Sequence, residues 1–143
     1  MPNFVSVIAV FTFTLFAVNA MMTGGIMDQD PKDPEWMTKA WKAAKSLNEG
    51  ASNAGPHIMI PIKVLKAQTQ VVAGTIYTFE ILFGESECKK GQIDLSNLSS
   101  ANCQLKPNGS RALYKVSLLE KPWQNYEQFN VEKLRDVSAG EEL

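Results

Sequence analysis

The sequence predicts an α+β domain in which one N-terminal helix lies across a face of an antiparallel sheet. Apolar residues recur at three- and four-residue steps in a single stretch, at Trp36, Met37, Ala40, Trp41, Ala44 and Leu47. That is the spacing of a helix with one buried stripe. Beyond Gly50 the pattern changes to β-branched and aromatic runs in two pairs, each joined by a short turn-like segment, as antiparallel hairpins require. The 143 residues leave room for one such domain. Lys plus Arg is 14 and Asp plus Glu is 15, a formal charge of −1 with no block of like charge, which argues against electrostatic capture of nucleic acid. An apolar fraction of 45% with 20% charged residues is sufficient for a packed core and speaks against general disorder.

In chain order, the first charged side chain is Asp28, and an apolar run over residues 4–18 ends in Val18-Asn19-Ala20. Small residues at that position suit signal peptidase, so residues 1–20 are expected to be a secretory signal peptide and 21–143 the mature chain. The run also approaches the length of a bilayer span, and no basic segment precedes it, so a retained anchor is the alternative; after cleavage no membrane partner is expected. Residues 21–33 read as a flexible arm. Asp33 then offers a helix cap, Pro34 suits the first helical position and Glu35 favours the helix dipole. The helix should end before Gly50.

Ile58, Ile60, Ile62, Val64 and Ala67 alternate roughly with other residues, and residues 75–83 are rich in strand formers. Between them Gln70-Val71-Val72-Ala73-Gly74 reads as a hairpin loop closed by glycine. Residues 111–119 and 126–134 form the second pair, and Pro122 cannot donate to a ladder, so that turn falls at Pro122-Trp123. Cys88 and Cys103 are the only cysteines. An even pair in an oxidising compartment is expected to be bonded, stapling a hairpin and contributing about 3 kcal/mol through the unfolded state. Asn97-Leu98-Ser99 and Asn108-Gly109-Ser110 are candidate glycosylation sites in turn-rich stretches, and residues 140–143 read as a solvated tail.

The residue types that build catalytic centres do not assemble into one. His57 is the single histidine, without zinc-type spacing around it, and no G-x-S-x-G elbow or glycine-rich phosphate loop occurs. Asp28, Asp30, Asp33 and Glu35 are explained by a solvated helix start. A binder without metal or cofactor is expected, not an enzyme. Trp123 at a hairpin tip is the kind of anchor that dominates interfaces, and Val71, Val72 and Ala73 occupy a turn where polar residues are usual. The alternative is that Trp123 folds back on its own sheet.

Gly24-Gly25 before the helix, the Gln-x-Val-x-Gly pattern of residues 70–74, and Pro122-Trp123 resemble, in order and spacing, the three signature elements of the cystatins. The leader and the disulfide make the chain similar to the secreted type 2 group. The resemblance implies a helix gripped by a curved antiparallel sheet, and tight, reversible, competitive inhibition of papain-like cysteine peptidases such as cathepsins. In that picture the arm and two hairpin turns enter the active-site cleft as one wedge. Met22 and Thr23 occupy non-primed subsites, Gly24 with Gly25 bends the arm, residues 70–74 cover the catalytic residues and Trp123 packs on the primed side. The alternative on the same fold is a protein-binding or immunomodulatory module without strong inhibition.

Some type 2 members also bind legumain through an asparagine in a Ser-Asn-Asp-like loop. Here Ser52 and Asn53 match and Ala54 replaces the acid, so an ordinary turn is the competing reading. The chain departs from the group in having one cysteine pair instead of two, which leaves the second hairpin without a staple. It also departs in having Lys121 where a small apolar residue usually precedes Pro-Trp. Domain exchange through the first loop, known in the family, would bury that loop, so the monomer is the expected active form.

Overall fold

A computed structural model of the chain describes residues 24–50 and 53–143. The signal-peptide reading of residues 1–20, and Met22, Thr23 and Ser52, lie outside the described residues. The chain runs through β1 (Ile26–Gln29), α1 (Pro34–Glu49), β2 (His57–Val72), β3 (Gly74–Lys89), β4 (Arg111–Lys121) and β5 (Tyr126–Val137), with 3-10 turns at Leu95–Ser100 and Pro122–Gln124. The five strands form one antiparallel sheet in sequence order. One helix on one sheet face is the predicted architecture.

The helix boundaries fall where the sequence places them. Asp33 is the cap, its Oδ1 accepting from the Glu35 N–H at 3.0 Å, and Gly50 N–H bonds back to the Ser46 carbonyl. Trp36, Ala40, Ala43, Ala44 and Leu47 are buried, while Met37 and Trp41 lie half-buried at the edge of that stripe. Trp36 packs against Tyr77 and Phe79, with ring centroids 5.8 and 5.4 Å apart. The sheet supplies Ala67, Phe79, Ile81, Val116 and Leu118 to the same core, and apolar burial of this kind is the main stabilising term.

Three details differ from the sequence expectation. A strand, β1, occupies part of the arm, its register running from Ile26 opposite Gln70 to Gln29 opposite Ala67. Side chains fasten it: Gln29 donates to Thr69 Oγ1 at 3.1 Å and Gln68 to Asp28 Oδ1 at 2.9 Å. β2 is not a simple alternation either, because its register against β3 shifts at three places, one between Pro61 and Lys63. Ile62 falls at that shift, half-buried, and its Cδ1 lies over the Gly84 backbone on the side a Cβ would take. Such bulges accommodate the proline, which has no N–H to donate.

The disulfide Cys88–Cys103 is present, with Cα atoms 5.7 Å apart. It staples an antiparallel reversal, as expected: the end of β3 is bridged to the returning part of the long β3–β4 connection, Ser86 lying opposite Leu105 and the Glu87 N–H bonding to the Gln104 carbonyl. Within that connection Leu98 is buried in the core, and Asn97 and Asn108 are both exposed. The C-terminal tail is also fastened: Arg135 pairs with both carboxylate oxygens of Glu141, and Lys63 Nζ donates to the Leu143 carbonyl at 2.6 Å.

Candidate functional site

Strand pairing runs through the Gln70–Gly74 pentapeptide instead of leaving it as a loop. Gln70 lies opposite Ile76, Val71 opposite Thr75 and Val72 opposite Gly74, so Ala73 alone forms the tip. The reversal depends on Gly74, whose φ of +117° L side chains rarely adopt. A Cβ there would also stand 2.6 Å from the Glu120 carbonyl oxygen and 3.0 Å from Lys121 Cγ. The first hairpin tip is therefore pressed against the end of β4, where Lys121 leads into Pro122 and Trp123.

The second turn is a short 3-10 segment over Pro122–Gln124, closed by Asn125 in the left-handed region at φ 52°, with the Asn125 N–H bonded to the Pro122 carbonyl. Asparagine tolerates that conformation better than most residues. Trp123 does not fold back onto the sheet and is 65% exposed. On the other flank Gln70 Nε2 donates to the Gly24 carbonyl at 2.9 Å. Gly24 has φ +70°, and its Cβ direction faces the Val71 carbonyl at 3.9 Å. Arm, first tip and second turn thus stand side by side at one end of the sheet, and Val71 and Val72 project from it with 67% and 43% exposure.

This end is a projection and not an enclosure. A cavity of about 510 Å³ opens elsewhere, between α1, the Leu95–Ser100 segment and β5, lined by Trp41, Lys45, Leu98 and Phe129 among others. Among the described residues no group of His, Cys, Asp and Glu side chains could hold a metal ion.

The candidate second site has a different character. Asn53 donates to Asn48 Oδ1 at 2.8 Å and to the His57 carbonyl at 2.9 Å, and its Oδ1 accepts from the Gly55 N–H at 3.2 Å. Lys90 Nζ also donates to the Asn53 carbonyl oxygen. Behind it lies Asn48, buried at the end of the helix, which the sequence reading missed. Asn48 Nδ2 donates to the carbonyls of Ala44 and Met59, and its Oδ1 accepts from the Met59 N–H at 2.8 Å. It stands in for a strand partner on the open edge of β2. A polar residue following Leu47 in an amphipathic helix gives little sign of this.

The family model for the cystatin domain matches residues 24–136. The chain belongs to the cystatin family. It is 42% identical over 142 residues to cystatin cpi-1 of Caenorhabditis elegans, covering 99% of each chain. To onchocystatin of Onchocerca volvulus it is 32% identical over 117 residues, covering 82% of this chain and 70% of that one. Among solved structures, mialostatin, a gut cystatin from the hard tick Ixodes ricinus, superposes with a TM-score of 0.64 at 26% identity, covering 78% and 98% of the two chains. Family and fold make this cystatin an inhibitor of cysteine peptidases in general terms and point away from an enzyme. Among the described residues, no helix is long and apolar enough to cross a membrane.

Proposed function

We propose that this cystatin is a secreted type 2 member that inhibits papain-like cysteine peptidases, cathepsins among them, tightly, reversibly and competitively. The arm at Gly24-Gly25, the first hairpin tip and Pro122-Trp123 enter the active-site cleft together. The observation that carries the reading is the meeting of these three segments, remote in sequence, in one exposed apolar ridge. Met22 and Thr23, just ahead of Gly24, would extend the ridge into the non-primed subsites. A ridge built on strand ends sheds water on entry and loses little conformational entropy, because its backbone is already ordered. It presents no scissile bond in register to a nucleophile, so the inhibitor is recovered intact. Asn97 and Asn108, both exposed and clear of the ridge, are the acceptors for any glycan added during secretion.

A legumain site is not assigned. To enter a specificity pocket the Asn53 carboxamide would first give up three internal hydrogen bonds, two within its own turn and one to Asn48 at the end of the helix. The test is a titration of papain, cathepsin L and legumain with the secreted protein. One-to-one reversible inhibition of the first two with none of legumain is expected. Failure to inhibit either papain-like enzyme at micromolar protein would leave only a binding module on a cystatin fold.

A further inference from the structure

The outer face of the sheet, opposite the helix, changes character along the strands. Side chains directly opposite one another in antiparallel pairs share a face, so the register defines rows. Farthest from the ridge in this series, Lys66, Glu80, Lys115 and Glu132 form one row across β2 to β5, alternating in charge. Nearer lies Asp28, Gln68, Thr78, Ser117 and Asn130, all polar. The next row is Ile26, Gln70, Ile76, Leu119 and Gln128, with Ile26 64% exposed and Ile76 and Leu119 half-buried. Two residues further on, the same face carries Val72, Lys121 and Tyr126, the tyrosine 40% exposed.

A sheet with one face on the core normally keeps the other face polar. This sheet obeys the rule in the two polar rows and departs from it on either side of them: beyond the charged row Leu82 and Leu113 lie between Lys63 and Arg135, with Leu82 buried, and beside the ridge Ile26, Ile76 and Leu119 stand in one row with Ile26 well exposed. Tyr126 is held in place, its hydroxyl donating to Gln128 Oε1 at 2.9 Å and its ring 5.6 Å from Lys121 Nζ. Rows on one face are about 7 Å apart along a strand. The row of Ile76 and Leu119 therefore lies one such step behind Val72 on the same face.

We propose that Ile26, Ile76, Leu119 and Tyr126 form an apolar shelf that rests on the peptidase surface outside its cleft. The shelf fixes the tilt of the inserted ridge and slows its release. The occupant is an apolar patch on the rim of the same papain-like peptidase, so the proposal rests on the inhibitory reading above. Continuity with the ridge selects that occupant over any other.

The test is the kinetics of papain inhibition by the parent, by Ile76→Thr with Leu119→Thr, by Ile26→Thr, and by Lys115→Gln as a control in the charged row. Threonine keeps the preference for strand while removing apolar contact, and Ile26→Thr alters only an exposed side chain on the edge strand. Thermal unfolding checks that each variant folds. The shelf variants should dissociate faster, the double variant by about tenfold, with association rates kept, as is usual for lost interface contacts, and Lys115→Gln should match the parent. Parent-like dissociation of folded shelf variants would overturn the shelf while sparing the ridge. A parent that does not inhibit at all would remove the inhibitory reading and the shelf with it. A parent that self-associates where the double variant is monomeric, with equal inhibition by both, would assign the patch to self-contact and overturn the proposal.

Discussion

At the scale of single residues, Trp123 and Asn48 separate the proposed contact surface from the interior that supports it. Among the described residues Trp123 has no aromatic or cationic partner for its ring, and most of its surface faces solvent. Trp123→Ala should leave the melting temperature nearly unchanged and raise the inhibition constant for papain several-fold or more, since a lost aromatic anchor costs about 1–4 kcal/mol of binding. An unaltered constant across several papain-like peptidases would take Trp123 out of the interface. Asn48 should behave in the opposite way. Asn48→Ala strips partners from the Met59 N–H and carbonyl and from the Asn53 amide, and an unsatisfied buried group costs about 1–3 kcal/mol. Urea unfolding should show a loss of at least 2 kcal/mol, with the inhibition constant of the folded fraction preserved. A loss below 0.5 kcal/mol would mean that water replaces the amide freely.

At the scale of elements, the β2–β3 hairpin is rigid where the sequence suggested a loop, and Gly74 is the reason. Gly74→Ala places a methyl against the Glu120 carbonyl and forces a left-handed backbone on a residue with a side chain, a strain of about 1–3 kcal/mol. The hairpin should relieve it by moving its tip off β4, weakening inhibition at least tenfold while the melting temperature falls only slightly. Normal inhibition by Gly74→Ala would show that the tip need not sit against β4. The disulfide offers the reverse case. Cys88 lies near the end of β3 farthest from Gly74, and the bridge spans 15 residues of sequence, which makes it worth about 3 kcal/mol. Replacing both cysteines by serine should lower stability by about that amount and leave the inhibition constant as it was.

The elements also show where the sequence is readable. Helix α1 is legible because cap, proline and apolar stripe agree on the same boundaries. The cysteine pairing follows from there being only two. β1 is illegible because Ile-Met-Asp-Gln has no alternation of its own and is held by pairing with β2 and by bonds to the Gln68 and Thr69 side chains of that strand. The β2 bulges are hidden because the apolar rhythm of Ile58, Ile60, Ile62 and Val64 runs straight through the register shifts. The tip residues Val71 and Val72 are strand formers by composition. Their functional meaning came from the Gln-x-Val-x-Gly resemblance, and only the fold shows that Gly24 and Trp123 stand beside them.

At the scale of the whole molecule, the ridge exists only while β2 folds back on β3. The two strands are paired along almost their full length, up to Val72 opposite Gly74, and a single residue, Ala73, makes the reversal. If the hairpin opens, β2 and β3 can run straight through Ala73 and pair with the complementary strands of a second copy, recovering nearly every ladder bond and most of the core. The native pairs lost are then only those at the tip, and Gly74 is freed from its left-handed conformation. Such an exchanged dimer keeps its hydrophobic core yet has no first tip, so Gly24 and Trp123 no longer flank anything. Partial heating at high concentration should therefore yield dimer that is well folded by circular dichroism and inactive against papain, while the monomer fraction from the same sample inhibits one to one. Reversion on dilution should be slow, because nearly all of the core must open before the strands can separate. Dimer that titrates papain with full occupancy of its chains would show that the tip survives association, and the dimer would then be joined by some other surface.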